Sequence, residues 1–188
     1  MNINYPKGLE FLEKYPKTLM LKEAFRLYGL EEIPGNKNNP IILSWAKNLG
    51  LDGYVSDSTQ AWCGLFMAHL AGVSNKPIPE KPLWALNWQY WGNPSHIPKY
   101  GDVLVFKRKL PAGGFAGHVA LYLAEDKNYY YVIGGNQSNK VCISRIQKIQ
   151  DGKPRLVAAR NSYKIMPTCC EPIHIDEVST LPVSKNEA

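Results

Sequence analysis

The chain has 188 residues, of which 45% are hydrophobic and 20% charged, a composition typical of one globular domain. This balance excludes a fully disordered chain and a collagen-like fold, and charged residues interrupt every apolar stretch before the roughly 18 residues of a membrane helix. The net charge is +6, and residues 161–188 hold two lysines against four acidic residues. The basic excess therefore lies in the first 160 residues, where it suits nucleic acid, an acidic membrane surface, an acidic polymer or simply a solvated surface.

The N-terminus and the cysteines bear on compartment and cofactors. Residues 1–8 lack the basic-then-apolar pattern of a signal peptide, so we expect synthesis in the cytoplasm without one. The spacing of the cysteines matches neither a zinc site nor a disulfide framework, and we expect no metal or organic cofactor; they are Cys63, Cys142, Cys169 and Cys170.

The first half of the chain carries helical patterns. Residues 6–30 read as helical material interrupted at Tyr15-Pro16, with Thr18 as the cap of the second part. Three further helices are predicted over residues 39–49, 61–71 and 83–91. Trp84, Trp88 and Trp91 in the last of these could line a groove, but core packing is the default expectation.

After Gly92 the pattern changes to short segments rich in Val, Ile and Tyr. Strands are predicted over residues 102–107, 117–123, 129–134, 140–146 and 156–160. A loop over 124–128 would pair Leu123 with Tyr129. Helices followed by strands indicate an α+β fold, with N-terminal helices packed on an antiparallel sheet.

Cys63 is the strongest candidate for a nucleophile. It falls in the first turn of a predicted helix, after a polar loop over residues 56–60. A helix N-terminus carries about half a positive charge and unpaired N–H groups, which favour a thiolate and can hold an oxyanion. The alternative is a small buried hydrophobic residue, a role that free cysteine also suits.

His118 and Asn136 complete a candidate triad. In the predicted hairpin, strand alternation puts Asn136 on the face of His118 and Gln137 on the other face, unless a bulge at the preceding glycines swaps them. An amide oxygen beside an imidazole can fix its tautomer, the third role in a Cys-His-Asn triad. Taken singly, a core histidine and a turn asparagine are the simpler interpretations; the three residues together favour catalysis.

Four motifs carry a family resemblance: Asp57-x4-Trp62-Cys63-Gly64-x-Phe66, Gly101-Asp102-Val-x-Val-Phe106, Gly117-His118-Val119 and Gly134-Gly-Asn-Gln-Ser138. They resemble the CHAP-type cysteine peptidases of the NlpC-related, papain-like superfamily, in the branch of phage lysins and bacterial cell-wall hydrolases or toxins. The matching stretch runs from about residue 39 to 160.

This resemblance implies a papain-like fold and hydrolysis of an amide bond in peptidoglycan, with Cys63 as nucleophile, His118 as base and Asn136 as the orienting residue. We also expect Asp57, Trp62 and Gln137, which lie in the same motifs, to contact substrate. The corresponding division is an N-terminal helical extension (1–38), a CHAP-type catalytic domain (39–163) and an extended or disordered tail (164–188). Truncation after Tyr163 should then leave stability nearly unchanged.

The resemblance also implies partners and a place of action. Peptidoglycan is the expected partner, together with an immunity protein or secretion machinery, and the enzyme would reach the wall after lysis or dedicated export. Two rival functions stay open: a cysteine acyl-transfer enzyme (a deamidase or peptidase) on a protein substrate, and a non-catalytic wall-binding module. A nucleic-acid binder is disfavoured because arginines do not cluster, and no membrane span is expected.

Overall fold

The computed structural model describes residues 5–35, 37–110, 112–162, 171–178 and 180–184. Its helices are α1 (Leu19–Arg26), α2 (Pro40–Asn48) and α3 (Cys63–Val73), with 3-10 helices at Glu10–Lys14 and Ala85–Tyr90. Its strands are β1 (Asn93–Pro94), β2 (Val103–Lys109), β3 (Phe115–Glu125), β4 (Tyr129–Gly134), β5 (Cys142–Gln147), β6 (Ile149–Gln150), β7 (Lys153–Pro154) and β8 (Leu156–Asn161). Within the described part of the chain, no helix is long and apolar enough to cross a bilayer.

The main sheet has six strands in the order β1-β8-β2-β3-β4-β5, and all neighbours are antiparallel. The prediction of an antiparallel sheet in a mixed fold is confirmed, and its five longer strands match the predicted segments within a few residues. Strands β1, β6 and β7 were not predicted, because each has two residues and alternation cannot show in so short a segment. Strands β6 and β7 form a separate ribbon.

Strand β3 separates two apolar cores. Val119, Leu121 and Leu123 belong to the larger core, which includes α3, whereas Ala120 and Tyr122 belong to a smaller core that includes Phe106. Because successive side chains of a strand point to opposite faces, β3 contributes to both cores. The sheet is thus covered on both faces from His118 onward, whereas Phe115 at the start of β3 is exposed.

The hairpin of β3 and β4 differs from the predicted register. Leu121 pairs with Ile133, which moves the partner by two residues from the predicted pairing of Leu123 with Tyr129. An irregularity between Tyr122 and Ala124 then brings Ala124 opposite Tyr131. A shift of two residues keeps the predicted faces as far as Tyr122, whereas the irregularity after Tyr122 places Leu123 and Ala124 in the same, larger core.

The N-terminal helices are part of the larger core. The side chain of Thr18 accepts a hydrogen bond from the Leu21 backbone at 3.2 Å, which confirms the predicted cap of α1. Glu23 Oε1 on α1 lies 2.8 Å from His69 Nε2 on α3, and the His69 ring stacks on Trp45 of α2. These contacts join all three helices, so α1 belongs to the same core as α2 and α3.

The C-terminal segment is extended, as one of the two predicted alternatives, and its described parts dock on the sheet. Glu125 of β3 exchanges backbone hydrogen bonds with residues 173 and 175, and Arg145 of β5 with residues 182 and 184. Ile173 and Leu181 are 7% and 6% exposed and belong to the larger core. These contacts count against the predicted lack of a stabilising role for the described parts; residues 163–170, 179 and 185–188, with Cys169 and Cys170, lie outside the described residues.

Removal of the docked segment should destabilise the protein. We expect truncation after Tyr163 to lower the melting temperature by more than roughly 5 °C, because it exposes core surface under Ile173 and Leu181. Circular dichroism melting measures the change. Asp176→Ala is the matched control, since Asp176 is exposed and should melt with the unaltered protein; a truncated chain that melts with them would contradict the docking.

Candidate functional site

Cys63 is the first residue of α3, as the sequence predicted for the first helical turn. The N–H groups of a first turn have no carbonyl partner within the helix, and together they place about half a positive charge at its end. Cys63 is 1% exposed and its surface borders a cleft of about 440 Å³. The thiol therefore lies where a helix terminus favours negative charge and where a small group can enter.

Close packing against the first turn of α3 shapes one wall of this cleft. A Cβ atom at Gly64 would lie 2.5 Å from the carbonyl oxygen of Pro82 and 2.6 Å from that of Leu83. Both distances are far below van der Waals contact, so only glycine lets the backbone of residues 82–83 pass over the helix. Leu83 and Leu86 consequently line the cleft beside Cys63.

The opposite wall comes from the start of β3. Phe115, Ala116 and Gly117 line the cleft, so the residue directly before His118 faces the same space as Cys63. A Cβ atom at Gly117 would lie 2.7 Å from Leu86 Cγ, which shows how closely the two walls approach. Strand β3 and the first turn of α3 thus meet at one cleft.

Two exposed aromatic side chains stand at this cleft. Trp84 is 71% exposed and Phe115 is 63% exposed, and both belong to its lining. Trp88 and Trp91 are buried, as the default expectation for the tryptophan cluster had it. The sequence did not separate Trp84 from its neighbours, because a 3-10 helix that starts at Ala85 turns them differently from an α-helix.

His118 is 1% exposed and its Nε2 lies 3.1 Å from Oε1 of Gln137. The amide of Gln137 is oriented by its own nitrogen, which donates to the backbone carbonyls of Gly134 and Cys142. Its Oε1 is therefore the acceptor, and the imidazole Nε2–H donates to it. In neutral His118 the lone pair is then on Nδ1, which is the atom able to accept a proton.

Cys142 holds Gln137 in place from the neighbouring strand. Its Sγ donates to the backbone carbonyl of Gln137 at 3.2 Å, and its own carbonyl accepts from the Gln137 side chain. Burial raises the pKa of the Cys142 thiol to about 11. Cys142 is therefore protonated at neutral pH and can act as the donor in this contact.

The predicted face of Asn136 is wrong. Regular alternation would put Asn136 beside His118, but β4 ends at Gly134 and Asn136 adopts the left-handed conformation with φ of 56°. The chain turns there, and the next residue, Gln137, reaches the imidazole instead. The two glycines before Asn136 signalled this break, since alternation holds only while a strand continues.

Gln137 itself is 1% exposed. Its amide oxygen accepts a hydrogen bond from His118, and its amide nitrogen donates to two backbone carbonyls. The predicted substrate contact is therefore replaced by a role in holding the histidine.

Asp57 and Trp62 also support the site rather than line it. Trp62 is fully buried and its Nε1 donates to Glu32 at 2.6 Å. Asp57 is 2% exposed and its Oδ2 accepts from the backbone of Asn39, the cap residue of α2. Neither side chain has surface to offer a substrate, so the predicted substrate contacts are corrected to positioning contacts.

Tyr54 is a neighbour of the nucleophile that the sequence analysis missed. Its ring lines the cleft and its hydroxyl donates to the carbonyl of Gln60 at 3.2 Å. Burial raises the pKa of Tyr54, and the nearby negative groups Asp57, Glu32 and Cys63 raise it further. A lone tyrosine before a polar loop gives no periodic signal, so only the fold reveals its place.

Comparison with protein-family models, curated proteins and solved structures finds no match for this chain. Among the described residues, no group of three or more His, Cys, Asp or Glu side chains is placed to hold a metal ion. The site itself offers a buried thiol at a helix N-terminus and a histidine whose Nε2 is bonded to an amide oxygen.

The bond from His118 to Gln137 predicts unequal effects of two neighbouring substitutions. If the thiol and imidazole act together in hydrolysis, Gln137→Ala should lower kcat roughly tenfold or more, because the imidazole loses the acceptor that fixes its tautomer. Asn136→Ala should change kcat less than about threefold, since Asn136 does not hold the ring. Steady-state kinetics on both variants, with melting curves to confirm folding, measures the difference. A crippled Asn136→Ala beside an active Gln137→Ala would restore the triad predicted from alternation.

Proposed function

We propose that the protein is a papain-like cysteine hydrolase that cleaves an amide bond in the stem peptide of peptidoglycan. The observation that carries the proposal is the hydrogen bond from His118 to Gln137, because His118 directly follows Gly117, which lines the same cleft as Cys63. A thiol at a helix N-terminus and a histidine oriented by an amide oxygen are two of the features that activate a cysteine nucleophile.

In the first half-reaction, Nδ1 of His118 takes the proton of the Cys63 thiol and the thiolate attacks the amide carbonyl carbon. The N–H groups of the first turn of α3 stabilise the oxyanion of the tetrahedral intermediate. The C–N bond then breaks, His118 gives its proton to the departing amine, and a thioester remains on Cys63.

In the second half-reaction, water replaces the amine. His118 takes a proton from the water as its oxygen attacks the thioester carbon, and the same oxyanion position is used again. The C–S bond breaks, the carboxylic acid leaves, and the proton returns to the sulfur of Cys63. Gln137 accepts from Nε2–H throughout, so Nδ1 remains the nitrogen that takes and gives the proton.

The cleft supports a peptide rather than a compact small molecule as substrate. Its volume of about 440 Å³ lies between apolar walls that include Leu83 and Leu86. Exposed Trp84 and Phe115 offer flat surfaces for an extended chain. The resemblance of the sequence motifs to wall hydrolases selects the stem peptide among peptide substrates, and it implies delivery as a lysin or antibacterial toxin with an immunity protein or secretion machinery as partners.

Digestion of purified peptidoglycan tests this proposal. We expect the full chain to release pairs of fragments whose masses, read by mass spectrometry, add up to the mass of the uncut peptide plus one water. Cys63→Ala should reduce release at least about 1000-fold, because only the nucleophile is removed.

Cys142→Ala is the matched control, since its thiol is also buried but its pKa of about 11 keeps it protonated. It should retain activity within about tenfold, the margin reflecting its contact with Gln137. Unchanged peptidoglycan together with cleavage of a protein substrate would overturn the wall assignment, and cleavage by Cys63→Ala would overturn the cysteine mechanism.

A further inference from the structure

A strongly basic groove of about 480 Å³ lies next to the candidate active cleft. Its lining carries five basic side chains against a single acidic one, Asp151; the basic residues are Lys107, Arg108, Lys109, Lys153 and Arg155. Like charges gathered in one concave surface repel each other, and binding of an anion relieves this repulsion. The groove therefore concentrates part of the basic excess of the chain at one place.

Specific hydrogen bonds build this groove from β2 and the β6–β7 ribbon. The Lys107 backbone N–H donates to the Arg155 carbonyl at 2.9 Å, and the Arg155 N–H donates to the Lys148 carbonyl at 2.9 Å. At the far end the Lys109 N–H donates to Oε1 of Gln150 at 3.3 Å. The side chains are thus carried by paired backbone rather than by a loose loop.

The groove and the cleft share a wall. Phe115 lines both of them, it pairs with Lys109 across β2 and β3, and the Nζ of Lys107 lies 5.6 Å from the centre of its ring. A substrate chain that leaves the cleft over Phe115 would enter the groove directly. The two surfaces are therefore suited to successive parts of one molecule.

We propose that this basic groove is a subsite for carboxylate groups of the same substrate, on one side of the amide that Cys63 attacks. The inference rests on the proposed hydrolase function and adds a preference for an acidic stem peptide. Exposed Lys109 of β2 and Lys153 of β7 both line the groove, and a carboxylate bound there would be attracted by both. An amidated peptide of the same shape would lack this attraction.

Two muropeptides that differ only in one group test the subsite: one with the α-carboxylate of glutamate free and one with that group as carboxamide. The unaltered chain should cut the carboxylate form with a KM lower by roughly three- to tenfold, the range of one or two partly exposed ion pairs. The double variant Lys109→Gln/Lys153→Gln should remove this preference and leave kcat within about twofold. Lys127→Gln, in the exposed loop between β3 and β4, is the matched control and should keep the preference.

Equilibrium binding separates this proposal from the hydrolase proposal. The full-length Cys63→Ala variant is titrated with the same two muropeptides. It should bind the carboxylate form more tightly than the carboxamide form, and this preference should be larger at low salt than at high salt. If cleavage fails but this preference appears and depends on Lys109 and Lys153, the subsite holds without the proposed reaction. Equal binding of both forms, or a groove that retains only a phosphate polymer or nucleic acid, overturns the carboxylate subsite.

Discussion

The geometry of the site depends on the close approach of the turn after β4 to the first turn of α3. A Cβ atom at Gly135 would lie 2.6 Å from Trp62 Cζ3 and 2.7 Å from Phe66 Cβ. The absence of a side chain at this position lets the turn pack directly on the helix that begins at Cys63. Gln137 follows two residues later and bonds His118. The close contact at Gly135 therefore fixes the position of Gln137, which orients His118, relative to the helix that begins at Cys63.

Polar contacts of buried residues also hold the segment that leads into α3. Trp62 is bonded to Glu32, and burial together with the nearby Asp57 raises the pKa of Glu32. Asp57 in turn holds the start of α2 through Asn39. Each of these contacts satisfies a buried polar atom that would otherwise cost stability. Together, the contacts of Asp57 and Trp62 hold the segment just before Cys63. The close approach of Gly135 to Trp62 and Phe66 holds α3 against the turn after β4.

Much of the fold followed from the sequence, whereas the details of the site did not. Alternation of Val, Ile and Tyr located β2 to β5 and β8, and the cap Thr18 located the start of α1. Alternation failed at Asn136, because a left-handed residue after two glycines ends the strand and brings Gln137 to His118. The docking of the C-terminal segment was not predicted either, because isolated backbone pairs with Glu125 and Arg145 give no periodic pattern in the sequence.

The central claim, that Cys63 and His118 form a reactive pair, is tested most directly by the rate at which iodoacetamide alkylates each cysteine of the native chain. Mass spectrometry of the peptides resolves the sites. At pH 7 Cys63 should react at least about tenfold faster than Cys142, whose pKa of about 11 leaves roughly one thiolate in ten thousand. His118→Ala should remove most of that difference. Equal rates at the two cysteines, or a fast Cys63 that is unaffected by His118→Ala, would contradict the pairing.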